Sequence, residues 1–167
     1  MDGARLFYVD LHQDDPRKST ARKLERAGLI EKVHMGRCMG MVVLQASSVR
    51  VLGPYDRDLV MERGLCAIDG SWNLQHTYSG LSFPYGRRLP GLVPVNPVNY
   101  GKVGRLSTSE AMAGALLIIG LERQAMELLS RLKWGPYFYE MNSPILEVYR
   151  RCRDEAEILR AEAELFS

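Results

Sequence analysis

Ser107-Thr108-Ser109-Glu110 has the form of a capping box, and the run behind it, 111–120, is apolar on every side. A helix without a polar face has to be buried, so this one opens inside the molecule rather than at its rim. The first turn of such a helix carries free N–H groups and a partial positive charge, which suit a carboxylate or a phosphate. Just upstream, 92–95 reads as a short buried strand, followed by a loop containing Asn96, Asn99, Gly101 and Gly104. A strand-loop-helix junction that serves only the fold accounts for this local pattern equally well.

The rest of the chain supplies a sheet for that helix to cover. Compact apolar runs predict strands over 6–9, 29–33, 41–44, 49–52 and 65–68. Between them, Ser19 can cap a short helix that carries Leu24 and stops at Gly28, and Pro54 opens a helix through Met61 that Gly64 closes. Short strands alternating with helices indicate an α/β half with a mainly parallel sheet. Beyond Ser107 the pattern is wholly helical: apolar spacing continues to Gly135, and Ser143-Pro144 starts a last amphipathic helix. Trp134 and Tyr137-Phe138-Tyr139 read as packing for this half. Ligands of open parallel sheets bind beyond the carboxyl ends of the strands, so the expected crevice lies after Asp10, Asp69 and Asn96.

Composition narrows the chemistry. A length of 167 residues, 46% apolar and 25% charged, is that of an ordinary globular chain. A net charge of +2 requires any nucleic-acid site to be a local patch. Cys38, Cys66 and Cys152 have no zinc-type spacing and read as reduced thiols of a cytoplasmic protein. The N-terminus reads as a strand rather than a signal peptide, and no apolar run reaches membrane-spanning length. Gly101-Lys102 lacks the following Ser or Thr of a P-loop, and no GxGxxG or GxSxG is present. His12, His34 and His76 stand alone, and no metal site is expected.

Asp69 follows buried aliphatics, where partial desolvation raises a carboxylate toward a useful base. On pattern alone, capping of the next turn is the better account of it. Trp72 is either a stacking platform or core filling. Asp14-Asp15 reads as turn and surface groups. Arg17, Lys18, Arg22, Lys23 and Arg26 cluster near the first strand end, with Arg87-Arg88, Lys102 and Arg105 as an extension. Such a face suits a phosphate backbone, although a solvated helix face explains the same charges.

Five stretches carry a family resemblance: HQDDPRKSTARKL (12–24), IDGSWN (68–73), RLPGLVPVNPVNYGK (88–102), LSTSEAMAGALLIIG (106–120) and LKWGPYFYEMN (132–142). In this order they span nearly the whole chain, and the chain resembles the small-subunit rRNA aminocarboxypropyltransferases, S-adenosylmethionine-dependent enzymes with a SPOUT-like fold. The resemblance implies a parallel-sheet domain over 1–96 with a deep trefoil knot, an all-helical domain over 97–167, and the cofactor in the crevice between them. It implies transfer of the 3-amino-3-carboxypropyl group of S-adenosylmethionine to N3 of a pseudouridine, N1-methylated or not, with 5′-methylthioadenosine as by-product. The partner it implies is small-subunit rRNA or the pre-ribosomal subunit, and the enzyme is expected to be a monomer.

By motif, Asp69 is the catalytic base. Ser19, Thr20 and Thr108 hold the amino-acid end of the cofactor, the Ile68 main chain meets the ribose, Leu89 and Gly104 meet the adenine, and Trp72 walls the reactive end. Arg17, Lys18, Arg22 and Lys23 are the expected RNA contacts. Ser19 and Gly70 stand where the family usually has Cys, and Gly104 stands where an aromatic residue is common. A SPOUT-like rRNA methyltransferase using the same cofactor, or a non-catalytic RNA-binding assembly factor, are the alternative readings.

Overall fold

A computed structural model describes residues 3–11, 20–69 and 82–167. Five strands form one sheet: β1 (Leu6–Asp10), β2 (Glu31–Lys32), β3 (Val42–Leu44), β4 (Leu65–Asp69) and β5 (Gly86–Arg87), in the order β2-β1-β4-β3-β5. Every pairing is parallel. Six α-helices accompany it among the described residues: α1 (Thr20–Arg26), α2 (Arg57–Arg63), α3 (Thr108–Ile118), α4 (Glu122–Ser130), α5 (Gly135–Arg150) and α6 (Glu155–Leu165). None of these helices is long and apolar enough to cross a membrane.

Strand residues alternate between two cores. Leu6, Tyr8, Val42, Leu44, Leu65 and Ala67 face the larger one, which contains the whole inner surface of α3. Phe7, Val9, Val43, Cys66 and Ile68 meet Val33, Cys38, Met41 and Phe83 on the opposite face. Burial on both faces is why these strands are continuous apolar runs rather than alternating ones. At the start of β1, the Gln124 side chain takes the place of a strand partner. It accepts from the Ala4 N–H at 2.8 Å and donates to the Ala4 carbonyl at 2.7 Å.

The capping box at Ser107 is formed. Ser107 Oγ accepts from the Glu110 N–H at 3.2 Å, and Glu110 Oε1 accepts from the Ser107 N–H at 2.9 Å. The C-terminal end of α3 is equally well supplied. Gly120, at φ +88°, closes a Schellman motif with the Gly120 and Leu121 N–H groups on the Leu117 and Leu116 carbonyls. Arg150 donates to the Leu117 carbonyl at 2.9 Å, and Arg57 reaches those of Ile119 and Gly120. Two guanidinium groups thus sit at the negative end of a buried helix dipole.

Several expectations are corrected. The run 92–95 is not a strand: Pro90 and Pro94 lack the N–H a ladder needs, and the segment bonds to side chains and to the loop glycines instead. The expected strand over 49–52 is reduced to a single bridge, Val51 to Arg88, and that over 29–33 to β2 alone. β5 was not expected, because a Gly-Arg pair carries no apolar signal. The helix expected from Pro54 begins as a 3-10 turn (Pro54–Asp56) that α2 continues.

Pro144 does not open the last helix but lies inside α5, and α6 is separate. Pro144 and Glu140 are both exposed, so the Glu140 carbonyl deprived of its helical donor faces water. Of the aromatic residues expected to pack the helices, Phe138 is buried but Tyr137 is 64% exposed.

Candidate active site

The carboxyl ends of the parallel strands lie side by side, and Asp10 and Asp69 are paired in register between β1 and β4. Asp10 is bound by Arg22 at 2.9 Å. Asp69, buried to 7% exposure, accepts a hydrogen bond from the Thr108 hydroxyl at 2.5 Å. The first residue of α3 therefore touches the last residue of β4.

Beside this contact is a cavity of about 330 Å³, within the range of small-ligand clefts. Ile68, Leu89, Gly104 and Thr108 all line it. Its apolar surface comes from Leu44, Val103, Leu106 and Ala111, and its polar surface from Gln45, Arg88, Ser107, Thr108 and Glu162. The N-terminus of α3 opens into it, as the all-round apolar sequence of that helix requires.

Leu89, Pro90 and Gly91 form part of one wall, and the buried main chain of the segment they begin, 89–96, is satisfied almost entirely from outside itself. The Gly91 N–H donates to Glu162 at 2.6 Å and the Gly91 carbonyl accepts from the Tyr149 hydroxyl at 2.7 Å. Asn142 takes both main-chain groups of Val93 at 2.8 Å. The Val95 and Asn96 N–H groups donate to Glu110, and the Leu92 and Pro94 carbonyls accept from Gly104 and Gly101. Buried backbone without such partners costs about 1–3 kcal/mol per group, so these side chains hold the wall's shape. At Gly91 a Cβ would lie 2.7 Å from the Phe166 ring, which is why glycine stands there.

Glu162 closes the same side with a bidentate pair to Arg88, at 2.8 and 3.0 Å. The guanidinium holds its carboxyl below the ordinary carboxylate range against the opposing effect of burial. Burial pushes the Tyr149 hydroxyl up, so it remains a donor to Gly91.

The remaining expected residues are distributed as follows. Thr20 opens α1 and does not line the cavity. Arg22 is half-buried on Asp10, while Lys23 is exposed. Arg17, Lys18, Ser19 and Trp72 lie outside the described residues. Of the expected basic extension, Arg87 is buried on Asp56 at 3.3 Å and Arg88 is held by Glu162, whereas Lys102 and Arg105 are exposed. Sequence reasoning missed Glu162, Tyr149 and the role of Asn142. The only local signal was an asparagine in an otherwise core-facing helical position, since the contacts themselves span 49 to 74 positions.

A family model described as "Ribosome biogenesis protein, C-terminal" matches residues 42–166, a span that contains every residue lining the cavity and Asp69. The chain belongs to that family. Among relatives of this ribosome biogenesis family, a 16S rRNA aminocarboxypropyltransferase of Methanopyrus kandleri is 46% identical over 166 residues, covering 95% of this chain and 96% of that protein. One of the same name from Thermoplasma acidophilum is 45% identical over 150 residues, covering 90% and 92%. The solved structure of the SAM-dependent rRNA:acp-transferase Tsr3 from Vulcanisaeta distributa superposes with a TM-score of 0.87 at 40% identity, over 97% of this chain and 88% of that one.

Proposed function

We propose that this chain transfers the 3-amino-3-carboxypropyl group of S-adenosylmethionine to N3 of a pseudouridine, N1-methylated or not, in small-subunit rRNA during ribosome biogenesis. The observation that carries the reading is one cavity lined by Ile68, Leu89, Gly104 and Thr108, with Asp69 hydrogen-bonded to Thr108 at its edge. The names of the relatives support aminocarboxypropyl transfer from S-adenosylmethionine to 16S rRNA.

The donor set fits the cofactor. Leu44, Leu89, Val103, Leu106 and Ala111 give apolar surface for a purine ring, with the main chain of 89–91 and 103–104 along its edge. The N-terminus of α3 suits a carboxylate, and the Asp69 carboxylate suits a neighbouring cation. When bound, S-adenosylmethionine supplies an electrophilic γ-carbon on a sulfonium whose departure leaves 5′-methylthioadenosine.

The residues' tasks follow from that polarity. Asp69 takes the proton from N3, so that the N3–carbon bond forms as the carbon–sulfur bond breaks. Thr108, by donating to Asp69, fixes the carboxylate rotamer, while the first-turn N–H groups of α3 serve the amino-acid carboxylate. Ser19 and Thr20 complete that end, and Trp72 shields the methyl so that the γ-carbon faces the nucleotide, an effect of orientation. Arg17, Lys18, Arg22 and Lys23 bind phosphates.

The same reading divides the chain into a sheet domain over 1–96 and a helical domain over 97–167, with a SPOUT-like trefoil knot at the cavity, acting as a cytoplasmic monomer.

The test uses a small-subunit rRNA hairpin and S-adenosylmethionine labelled separately in its methyl and its carboxyl carbon. Label from the carboxyl alone, with methylthioadenosine released, is the expected result. Label from the methyl alone would make the chain a methyltransferase and reverse the cofactor's orientation. Cofactor binding without transfer to any hairpin or to 16S rRNA would leave an RNA-binding assembly factor.

A further inference from the structure

A second groove, of about 520 Å³, lies between the loop that follows Val95 and the start of α5. It is lined by Val95, Tyr100, Trp134, Tyr137, Glu140 and Met141. Trp134, Tyr137 and Met141 share one flank of α5, beside the face that buries Phe138, Asn142 and Leu146. Tyr100 is 63% exposed, and with Tyr137 and Met141 it forms a cluster of large side chains outside any core. Such a cluster marks a contact surface. The Tyr100 and Tyr137 hydroxyls and the Trp134 indole N–H make no side-chain hydrogen bond among the described residues.

Three further observations identify the occupant. Lys102 and Arg105 follow Tyr100 in the loop, Arg131 and Lys133 precede Trp134, and all four are exposed and form no ion pair among the described residues, which suits a phosphate backbone. Tyr100, Trp134 and Tyr137 make half of the groove's lining residues aromatic, the side chains on which unpaired bases stack. The loop is also shared, because Val103 and Gly104 at its far end line the candidate cofactor cavity. The loop then runs on to Thr108, which is bonded to Asp69, so RNA that presents its target nucleotide to Asp69 has this groove at the other end of the same loop.

We propose that the groove holds a nucleobase flanking the modified nucleotide, stacked on Tyr100 and Tyr137, with Glu140 accepting from its exocyclic amino group. A carboxylate accepts from the amino groups of cytosine, adenine or guanine, whereas uracil offers it a single imino N3–H flanked by two carbonyl oxygens that repel it, so the subsite favours an amino-bearing base. This inference rests on the rRNA-transferase reading above.

The test measures binding of a fluorescein-labelled small-subunit rRNA hairpin to Tyr100→Ala, Tyr137→Ala, the double variant, Glu140→Gln and Lys133→Ala. Both tyrosines are exposed, so their loss spares the core, and unchanged S-adenosylmethionine affinity confirms an intact fold. Each tyrosine variant is expected to bind about 5- to 150-fold more weakly, with the salt dependence unaltered. Lys133→Ala is expected instead to reduce the salt slope by about one. Glu140→Gln, which donates as well as accepts, is expected to erase discrimination against hairpins whose flanking nucleotides are changed to uridine.

Tyrosine variants that bind and turn over like the parent would overturn the subsite while leaving the transferase reading intact. A parent protein that neither binds nor modifies the hairpin would end both. Sedimentation showing a dimer lost in the double variant, with RNA affinity unchanged, would assign the face to a second copy and overturn the proposal.

Discussion

Asp69 and Thr108 are separated by 39 positions, yet one hydrogen bond joins the end of the central strand to the start of the buried helix. Replacing Asp69 with Ala is expected to leave S-adenosylmethionine binding within a few-fold of the parent and to slow transfer by about 10²–10⁴-fold, the scale of a lost general base. Single-turnover transfer and calorimetric binding separate the two effects, and full activity would remove Asp69 from the chemistry. Asn142 has a different task. It is fully buried and makes three hydrogen bonds, two to Val93 and one to the Phe138 carbonyl. Asn142→Ala strands main-chain groups as well as opening space, so a loss of about 2–4 kcal/mol is expected in urea unfolding. An unchanged midpoint would mean that the 90–95 wall is held by other contacts.

At the scale of elements, α6 acts on the site through Glu162. Its carboxyl is depressed in the folded chain, so the stabilisation it provides is complete above the unfolded value near 4.5 and is lost as pH falls through the folded one. Glu162→Gln is expected to lose about 1–2 kcal/mol at neutral pH, a modest figure because the pair is partly exposed. The difference from the parent should shrink below pH 4, as read by thermal melts across that range. A constant difference at all pH values would show that shape, not charge, matters at this position.

These elements also show what a single sequence reveals. The capping box of α3 was legible because its partners are three residues apart, and β1, β3 and β4 were legible because burial on both faces leaves an unbroken apolar run. β5 has no such run, and 92–95 has one without being a strand, since its partners come from α3, α5 and the loop glycines Gly101 and Gly104. Pro144 misled because a proline in a helix is tolerated when the orphaned carbonyl faces solvent. Ile68, Leu89, Gly104 and Thr108 were placed by motif resemblance, whereas Glu162 and Tyr149 carry no local mark of the contacts they make.

Across the whole molecule, a single large core runs from β1 through α3 to Ala161, so the cavity is bounded by parts that unfold together. A ligand that fills it should therefore stabilise the entire chain. S-adenosylmethionine at one hundred times its dissociation constant is expected to add about 2.7 kcal/mol and to raise the melting temperature by several degrees. Methylthioadenosine, lacking the amino-acid end, should do so only at higher concentration. A melt that shifts with neither would remove the cavity as the cofactor site. The wall over 89–96 has one more consequence. Its course is dictated by Asn142, Tyr149, Glu110 and Glu162, none of which belongs to it, and what they grip is main chain. Leu92 and Val95 still pack in the core, but the main-chain course at Leu89 does not depend on its own side chain. Anyone wishing to retune which cofactor analogue the cavity admits should edit Leu89 and leave those four distant anchors untouched.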